Sequence, residues 1–147
     1  MDFIKELKNK NNKALSKAIT LVESTLEKDQ KKASDLISKL KSNNNSIRIG
    51  VTGIPGVGKS TFIEKFGKQF IDQGKRVAVL AIDPSSEKTK GSILGDKSRM
   101  EILSADKNSF IRPSSNSGTL GGVTNKTKDS ILLCEEAGFD IIIIETS

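Results

Sequence analysis

The period of the apolar positions changes along the chain, and the change marks out the elements. Up to residue 40 they recur at helical spacing: Ile4 and Leu7, then Leu15, Ala18, Ile19 and Val22, then Ala33, Leu36, Ile37 and Leu40. This predicts two helices over residues 2–41, the first loosened by Asn9-Lys10-Asn11-Asn12, and a polar linker at residues 42–46. Beyond the linker, short runs rich in Ile and Val alternate with amphipathic stretches. Strands are predicted at residues 47–52, 76–82, 110–112 and 139–144. A helix is predicted at 59–73, with Phe62, Ile63, Phe66 and Phe70 on one face and Gly74 at its end; another runs from 125 to 137 and stops at Gly138. Residues 85–107 are polar and Gly-bearing except for a short amphipathic stretch at 100–103, and residues 113–122 read as a Gly-containing loop. Near-continuous apolar strands alternating with helices imply an α/β fold, a parallel sheet with helices on both faces. That sheet domain would occupy residues 46–147, after an amino-terminal helical extension at 1–45.

The turn between the first strand and the helix at 59 carries the chemistry. Gly53-Ile54-Pro55-Gly56-Val57-Gly58-Lys59-Ser60-Thr61 satisfies the phosphate-binding P-loop pattern, G-x-x-x-x-G-K-[ST], at every required position. A strand, a Gly-rich turn and a helix N-terminus make an anion cradle. Backbone N–H groups from Gly56 to Ser60 would converge on a β-phosphate, and the helix dipole adds positive potential. Lys59 would reach the β/γ-phosphates and the Ser60 hydroxyl would ligate Mg²⁺. The alternative, a glycine turn that merely caps a helix, does not account for the agreement of motif and flanking elements.

Composition narrows the partners. The net charge is +6, but residues 1–45 carry ten lysines against six acids, so much of the excess lies on the helical extension. No basic run is interleaved with aromatics, and a solvated lysine face explains the charge better than a nucleic-acid partner does. Cys134 is the only cysteine and falls in a predicted helix, where it reads as a small buried side chain. Histidine is absent, which removes imidazole catalysis, and one cysteine without histidine leaves no structural zinc site. The apolar runs are too short to span a bilayer and no secretory segment is evident, so the expectation is a cytoplasmic protein with no membrane partner.

In open α/β sheets ligands bind at the carboxyl ends of the strands. Here those ends carry the P-loop, Asp83 and Glu145. Asp83, before Pro84, is read as a residue near Mg²⁺, with a turn-starting Asp as the alternative. Glu145 closes the apolar run Ile141–Ile144, the usual place for a second phosphate-site acid that holds Mg²⁺ or positions the attacking water. On local grounds Asp96 is only a solvated loop residue.

Several segments resemble the GTPase chaperones associated with methylmalonyl-CoA mutase, a family formerly labelled a lysine/arginine/ornithine transport-system kinase. They are Ala18-Ile-Thr-Leu-Val-Glu-Ser24, residues 50–61 around the P-loop, Val77-Ala-Val-Leu-Ala-Ile-Asp-Pro-Ser-Ser86, Gly91-Ser-Ile-Leu-Gly-Asp-Lys-Ser-Arg-Met100, Phe110-Ile-Arg-Pro113 and Leu133-Cys-Glu-Glu-Ala-Gly-Phe-Asp140. The Asp-Pro-Ser-Ser and Ser-Ile-Leu-Gly-Asp-Lys segments are far more specific than the P-loop. The resemblance implies a P-loop NTPase that binds and hydrolyses GTP, with GTP/GDP and Mg²⁺ as cofactors. By position, Lys59 and Glu145 would be catalytic, Ser60, Asp83, Asp96 and Glu145 would serve Mg²⁺, and Gly53, Pro55, Gly56, Val57, Gly58, Lys59, Ser60 and Thr61 would hold the nucleotide. It further implies that GTP gates the loading of adenosylcobalamin onto methylmalonyl-CoA mutase and protects that enzyme.

The chain departs from the family pattern after Glu145. It ends Thr146-Ser147, and no [NT]-K-x-D guanine-reading motif is present. The expectation is an amino-terminal fragment with a sheet incomplete at its carboxyl end, lacking the region through which the longer form would homodimerise. An exposed apolar sheet edge would then make it poorly soluble or dye-binding. Two other readings stay open: a P-loop kinase or ATPase linked to basic amino-acid transport, and a truncated remnant that does not hydrolyse nucleotide.

Overall fold

The computed structural model describes residues 1–41, 45–54, 56–83, 100–115 and 125–146. The elements are α1 (Phe3–Lys8), α2 (Asn12–Glu23), α3 (Glu27–Ser38), β1 (Ile47–Thr52), α4 (Lys59–Asp72), β2 (Val77–Asp83), α5 (Glu101–Ala105), β3 (Ser109–Ser115), α6 (Asn125–Glu136) and β4 (Ile141–Thr146). Compactness groups them into two units, one of residues 1–46 and 123–139 and one of residues 47–122 and 140–147. The helix at 125–136 therefore groups with the amino-terminal helices, although a sequence boundary at residue 45 assigns it to the sheet domain.

In the first unit α2 lies against α1, α3 and α6. It buries Ala14, Leu15, Ala18, Ile19 and Val22, while α6 buries Ile131, Leu133 and Cys134, the last as expected. The extension is three helices where two were predicted. Asn9-Lys10-Asn11 breaks the first: Lys10 takes a positive φ of 60°, and the Asn11 side chain accepts a hydrogen bond from Ala14 N at 3.1 Å and so caps α2. Three long-range contacts seat α6 in this unit. Lys126 Nζ donates to Glu23 O at 3.1 Å, Lys41 N donates to Glu136 Oε1 at 3.0 Å, and Ser46 Oγ donates to Glu135 Oε2 at 2.5 Å.

The second unit is a four-stranded parallel sheet of order β1-β4-β2-β3. The central strands are buried on both faces, with Ala78, Val79, Leu80, Ile142 and Ile143 at 0% exposure, which is why they read as unbroken apolar runs. On one face Ile63 and Ile71 of α4 and Leu103 of α5 pack with Val77, Val79, Ile141 and Ile143. The buried stripe of α4 is Ile63, Gly67 and Ile71. Phe66 and Phe70 flank it, but Phe62 is 52% exposed, so the expected apolar face is rotated toward the glycine.

β3 extends over 109–115, past the short run predicted and through Pro113. Pro113 pairs with Ala81, and β3 is an edge strand, where a residue without an N–H costs no ladder bond on the outer side. β1 forms the other edge, with Ile47 55% exposed. No helix among the described residues is long and apolar enough to cross a membrane.

Candidate functional site

β1 delivers the P-loop beside the end of β4. In the parallel register Val51 lies opposite Glu145 and Thr52 opposite Thr146, while on the other side of β4 Ala81 pairs with Glu145 and Ile82 with Thr146. The carboxyl ends of β1, β4 and β2 are thus level, and the loop that begins at Gly53 leaves from that rim.

The turn itself needs glycine at two positions. Gly56 and Gly58 have φ of 88° and 90°, the left-handed region that a side chain disfavours. Gly58 is also the N-cap of α4, whose first turn is made by Lys59, Ser60 and Thr61. With no side-chain cap there, the first N–H groups of the helix remain available to an anion. A Cβ added to Gly56 or Gly58 would meet nothing within 4 Å, so open space lies over the turn.

Lys59 is the hinge of the site. Its Nζ donates to Gly53 O at 2.6 Å and to Thr146 O at 2.9 Å. The ammonium therefore spans from the first P-loop residue to the last described residue of β4, and one of its three protons is left for a ligand. Ser60 is buried at 6% exposure, whereas Val57 and Ile54 stand out at 60% and 70%. Glu145 is buried, at 6% exposure. Side chains alternate along a strand, so Glu145 shares the face of Ile141 and Ile143, the face on which α4 packs. A hydroxyl and a carboxylate are both oxygen donors of the kind Mg²⁺ takes.

Asp83 is the last residue of β2, one step beyond the Ile82–Thr146 pair; its side chain lies outside the described residues, as do Pro55 and Asp96. The structure thus brings Gly53, Gly56, Val57, Gly58, Lys59, Ser60, Thr61 and Glu145 to one end of the sheet. It adds the Thr146 carbonyl, which sequence reasoning missed because a main-chain oxygen leaves no signature in residue type. Ser114, buried near the same end of β3, has a hydroxyl with no hydrogen-bond partner among the described residues.

Known proteins share this chain's sequence and fold. Residues 15–147 match the family model described as methylmalonyl Co-A mutase-associated GTPase MeaB. A putative GTPase of Caulobacter vibrioides is 58% identical over 134 residues, 90% of this chain and 41% of its own length. The mitochondrial methylmalonic aciduria type A homolog of Mus musculus is 50% identical over 90% of this chain and 34% of its own length. The GTPase ArgK of Escherichia coli is 46% identical over 99% of this chain and 44% of its own length. The crystal structure of a LAO/AO transport system kinase superposes with a TM-score of 0.77 at 34% identity, over 98% of this chain and 41% of that one. The chain thus spans less than half the length of these relatives, and within that span its α/β fold is that of a P-loop NTPase. On the match of residues 15–147 and these identities, the chain belongs to the family of methylmalonyl-CoA mutase-associated GTPases.

Proposed function

We propose that this chain is the phosphate- and Mg²⁺-binding part of a GTPase that gates adenosylcobalamin loading and protection of methylmalonyl-CoA mutase. The observation that carries the reading is Lys59, held between Gly53 O and Thr146 O at the head of a helix whose N-terminus lacks a side-chain cap. In this reading the backbone of Gly53, Pro55, Gly56, Val57 and Gly58 wraps the phosphates, Lys59 neutralises them, and Ser60 and Thr61 close the cradle. Ser60, Asp83, Asp96 and Glu145 serve Mg²⁺, and Glu145 also orients the attacking water. When bound, Mg²⁺ supplies charge neutralisation of the transferring phosphoryl group.

The names of the relatives support the mutase partner, and the reading includes a cytoplasmic setting and a homodimeric longer form. The chain carries no guanine-reading motif, so base preference has to come from elsewhere in such a protein. The solved relative is called a transport system kinase, which favours a second reading, a small-molecule kinase. It would require acceptor-dependent nucleotide consumption.

Titration with fluorescent GDP and ADP in Mg²⁺, with Lys59→Ala alongside, tests the proposal. Mg²⁺-dependent binding that Lys59→Ala abolishes is the expected result. Binding that survives Lys59→Ala would sink it. Equal affinity for the two bases would confine the guanine preference to longer forms of the protein.

A further inference from the structure

Helix α2 carries a second stripe beside its buried one. Lys13, Lys17 and Leu21, spaced four residues apart, line a groove of about 570 Å³ together with Ser16 and Thr20 of the same helix; Phe3 of α1 and Asp29 and Lys32 of α3 complete it. Everything that lines it lies within the helical unit. Phe3 and Leu21 are half-buried, and the three lysines are exposed.

The charges of the groove are unbalanced. Lys31 of α3 and Lys39, just past its end, each pair with an acid four residues earlier, at 3.8 and 3.0 Å. Lys13, Lys17 and Lys32 make no ion pair or hydrogen bond among the described residues. The carboxylate in the lining, Asp29, accepts from Ser24 Oγ at 2.7 Å and keeps its charge, so three ammonium groups face one carboxylate. The result is a lining of net positive charge, Lys13 and Lys17 on the α2 side and Lys32 beside Asp29 on the α3 side, around the apolar surface of Phe3 and Leu21.

We propose that this groove docks an acidic amphipathic helix of a partner protein. Such a helix presents an apolar stripe at i, i+3, i+4 and i+7 flanked by carboxylates, which matches the apolar surface of Phe3 and Leu21 beside Lys13, Lys17 and Lys32. A bilayer surface would meet the lysines but cannot follow a concave floor. The long lysine side chains lend their stems to the apolar contact while the ammonium groups meet the carboxylates.

The test uses the 147-residue chain and a fluorescein-labelled amphipathic peptide of about four helical turns, with leucine on one face and glutamate on both flanks. Anisotropy gives affinity, and amide NMR shifts of the labelled chain give location. Saturable binding is expected, with the largest shifts at Phe3, Lys17 and Leu21 and weakening by added salt. The triple variant Lys13→Gln/Lys17→Gln/Lys32→Gln should weaken it roughly tenfold, as three exposed charge pairs together would. Phe3→Ser should weaken it independently, and circular dichroism checks that both variants remain folded. Equal binding of a peptide with lysine in place of every glutamate, shifts centred elsewhere, or indifference to the triple variant would overturn the proposal. Absence of peptide binding would also overturn it, and binding to phosphatidylserine vesicles alongside that absence would reassign the groove to a lipid surface.

Discussion

Gly67→Ala sets two opposing effects against each other at a defined distance. Gly67 is buried in the interior of α4, where replacing glycine by alanine normally stabilises by about 0.5–1 kcal/mol through the unfolded chain. At this position a Cβ would lie 3.0 and 3.2 Å from the two methyl carbons of Leu103 and 3.6 Å from Val77 Cγ1. Leu103 and Val77 are both at 0% exposure in the same cluster, so neither can swing into solvent. Forcing one extra carbon into a packed core costs roughly 1–3 kcal/mol. The crowding wins, and the net expectation is destabilisation by about 0.5–2 kcal/mol. In a chain of this size that is a fall in melting temperature of roughly 2–7 °C. Urea unfolding followed by circular dichroism measures it, with Gly50→Ala as control. A Cβ at Gly50 meets nothing within 4 Å, so that variant should not lose stability. Leu103→Ala alone should cost about 2–5 kcal/mol, and less in the Gly67→Ala background, because the new methyl fills part of the cavity. If Gly67→Ala is more stable than its parent, or if the two substitutions are additive, then α4 and α5 are not in tight contact and the packing argument is wrong.

Other substitutions probe single interactions. Asn11→Ala removes the cap of α2 and a second hydrogen bond, from Asn11 Nδ2 to Glu6 Oε2 at 3.0 Å; thermal melts should show a loss of about 1 kcal/mol that Asn11→Asp restores only in part, since an aspartate caps Ala14 N but cannot donate to Glu6 and repels its carboxylate. Asp140→Ala strands the Arg76 N–H that the carboxylate accepts at 2.9 Å where β2 and β4 begin, and should cost about 1–3 kcal/mol in denaturant unfolding. Burial holds the Asp129 carboxyl above its usual 3.8. Its ionisation is therefore easier in the unfolded chain, and stability is lost as pH rises from the unfolded value through the folded one. Asp129→Asn should accordingly melt higher than the parent at neutral pH, with no difference below pH 3.8; a constant difference across both conditions would contradict the assignment. Gly58→Ala puts a side chain at φ 90° in the cradle and should weaken nucleotide affinity in the same fluorescence titration, while leaving the helical unit's melt unchanged.

The sheet was legible because its signals are local. The central strands β2 and β4 are short apolar runs, and β1 was predicted at its observed limits because Ile47–Thr52 lies between a polar linker and a glycine turn. The P-loop was legible for a stronger reason: a backbone that must turn at φ near 90° twice and then start a helix admits few residues. Legibility stopped where a residue's environment is set by distant chain. Phe62, Phe66 and Phe70 look like one core stripe, and the rings do touch in sequence, Phe62 stacked on Phe66 at 5.3 Å and Phe66 edge to face with Phe70 at 4.8 Å between centroids. Yet the face that meets the sheet is chosen by the one position small enough to let α5 approach, Gly67, so Phe62 is left outside. The break at Asn9–Asn11 was visible as composition, but three polar residues in a row could loosen a helix or end it, and only the cap from Asn11 to Ala14 decides.

The candidate site follows the same division. Side-chain chemistry announced itself at Lys59, Ser60 and Glu145, whereas what orients Lys59 did not. The lysine is held by two main-chain carbonyls, and one of them, on Thr146, reaches it only because β4 is inserted between β1 and β2. A strand order is a property of the whole sheet and leaves no mark in any six-residue run. The consequence is specific: the carbonyl of Thr146 and the carboxylate of Glu145 come from consecutive residues of one strand, so any ligand that draws Lys59 away acts on the end of the strand that also presents the buried acid. On the proposed reading, a phosphate competing for the lysine proton and a cation competing for the carboxylate would be coupled through two adjacent residues of β4. This coupling predicts that Mg²⁺ strengthens diphosphate binding more in the parent chain than in Glu145→Gln.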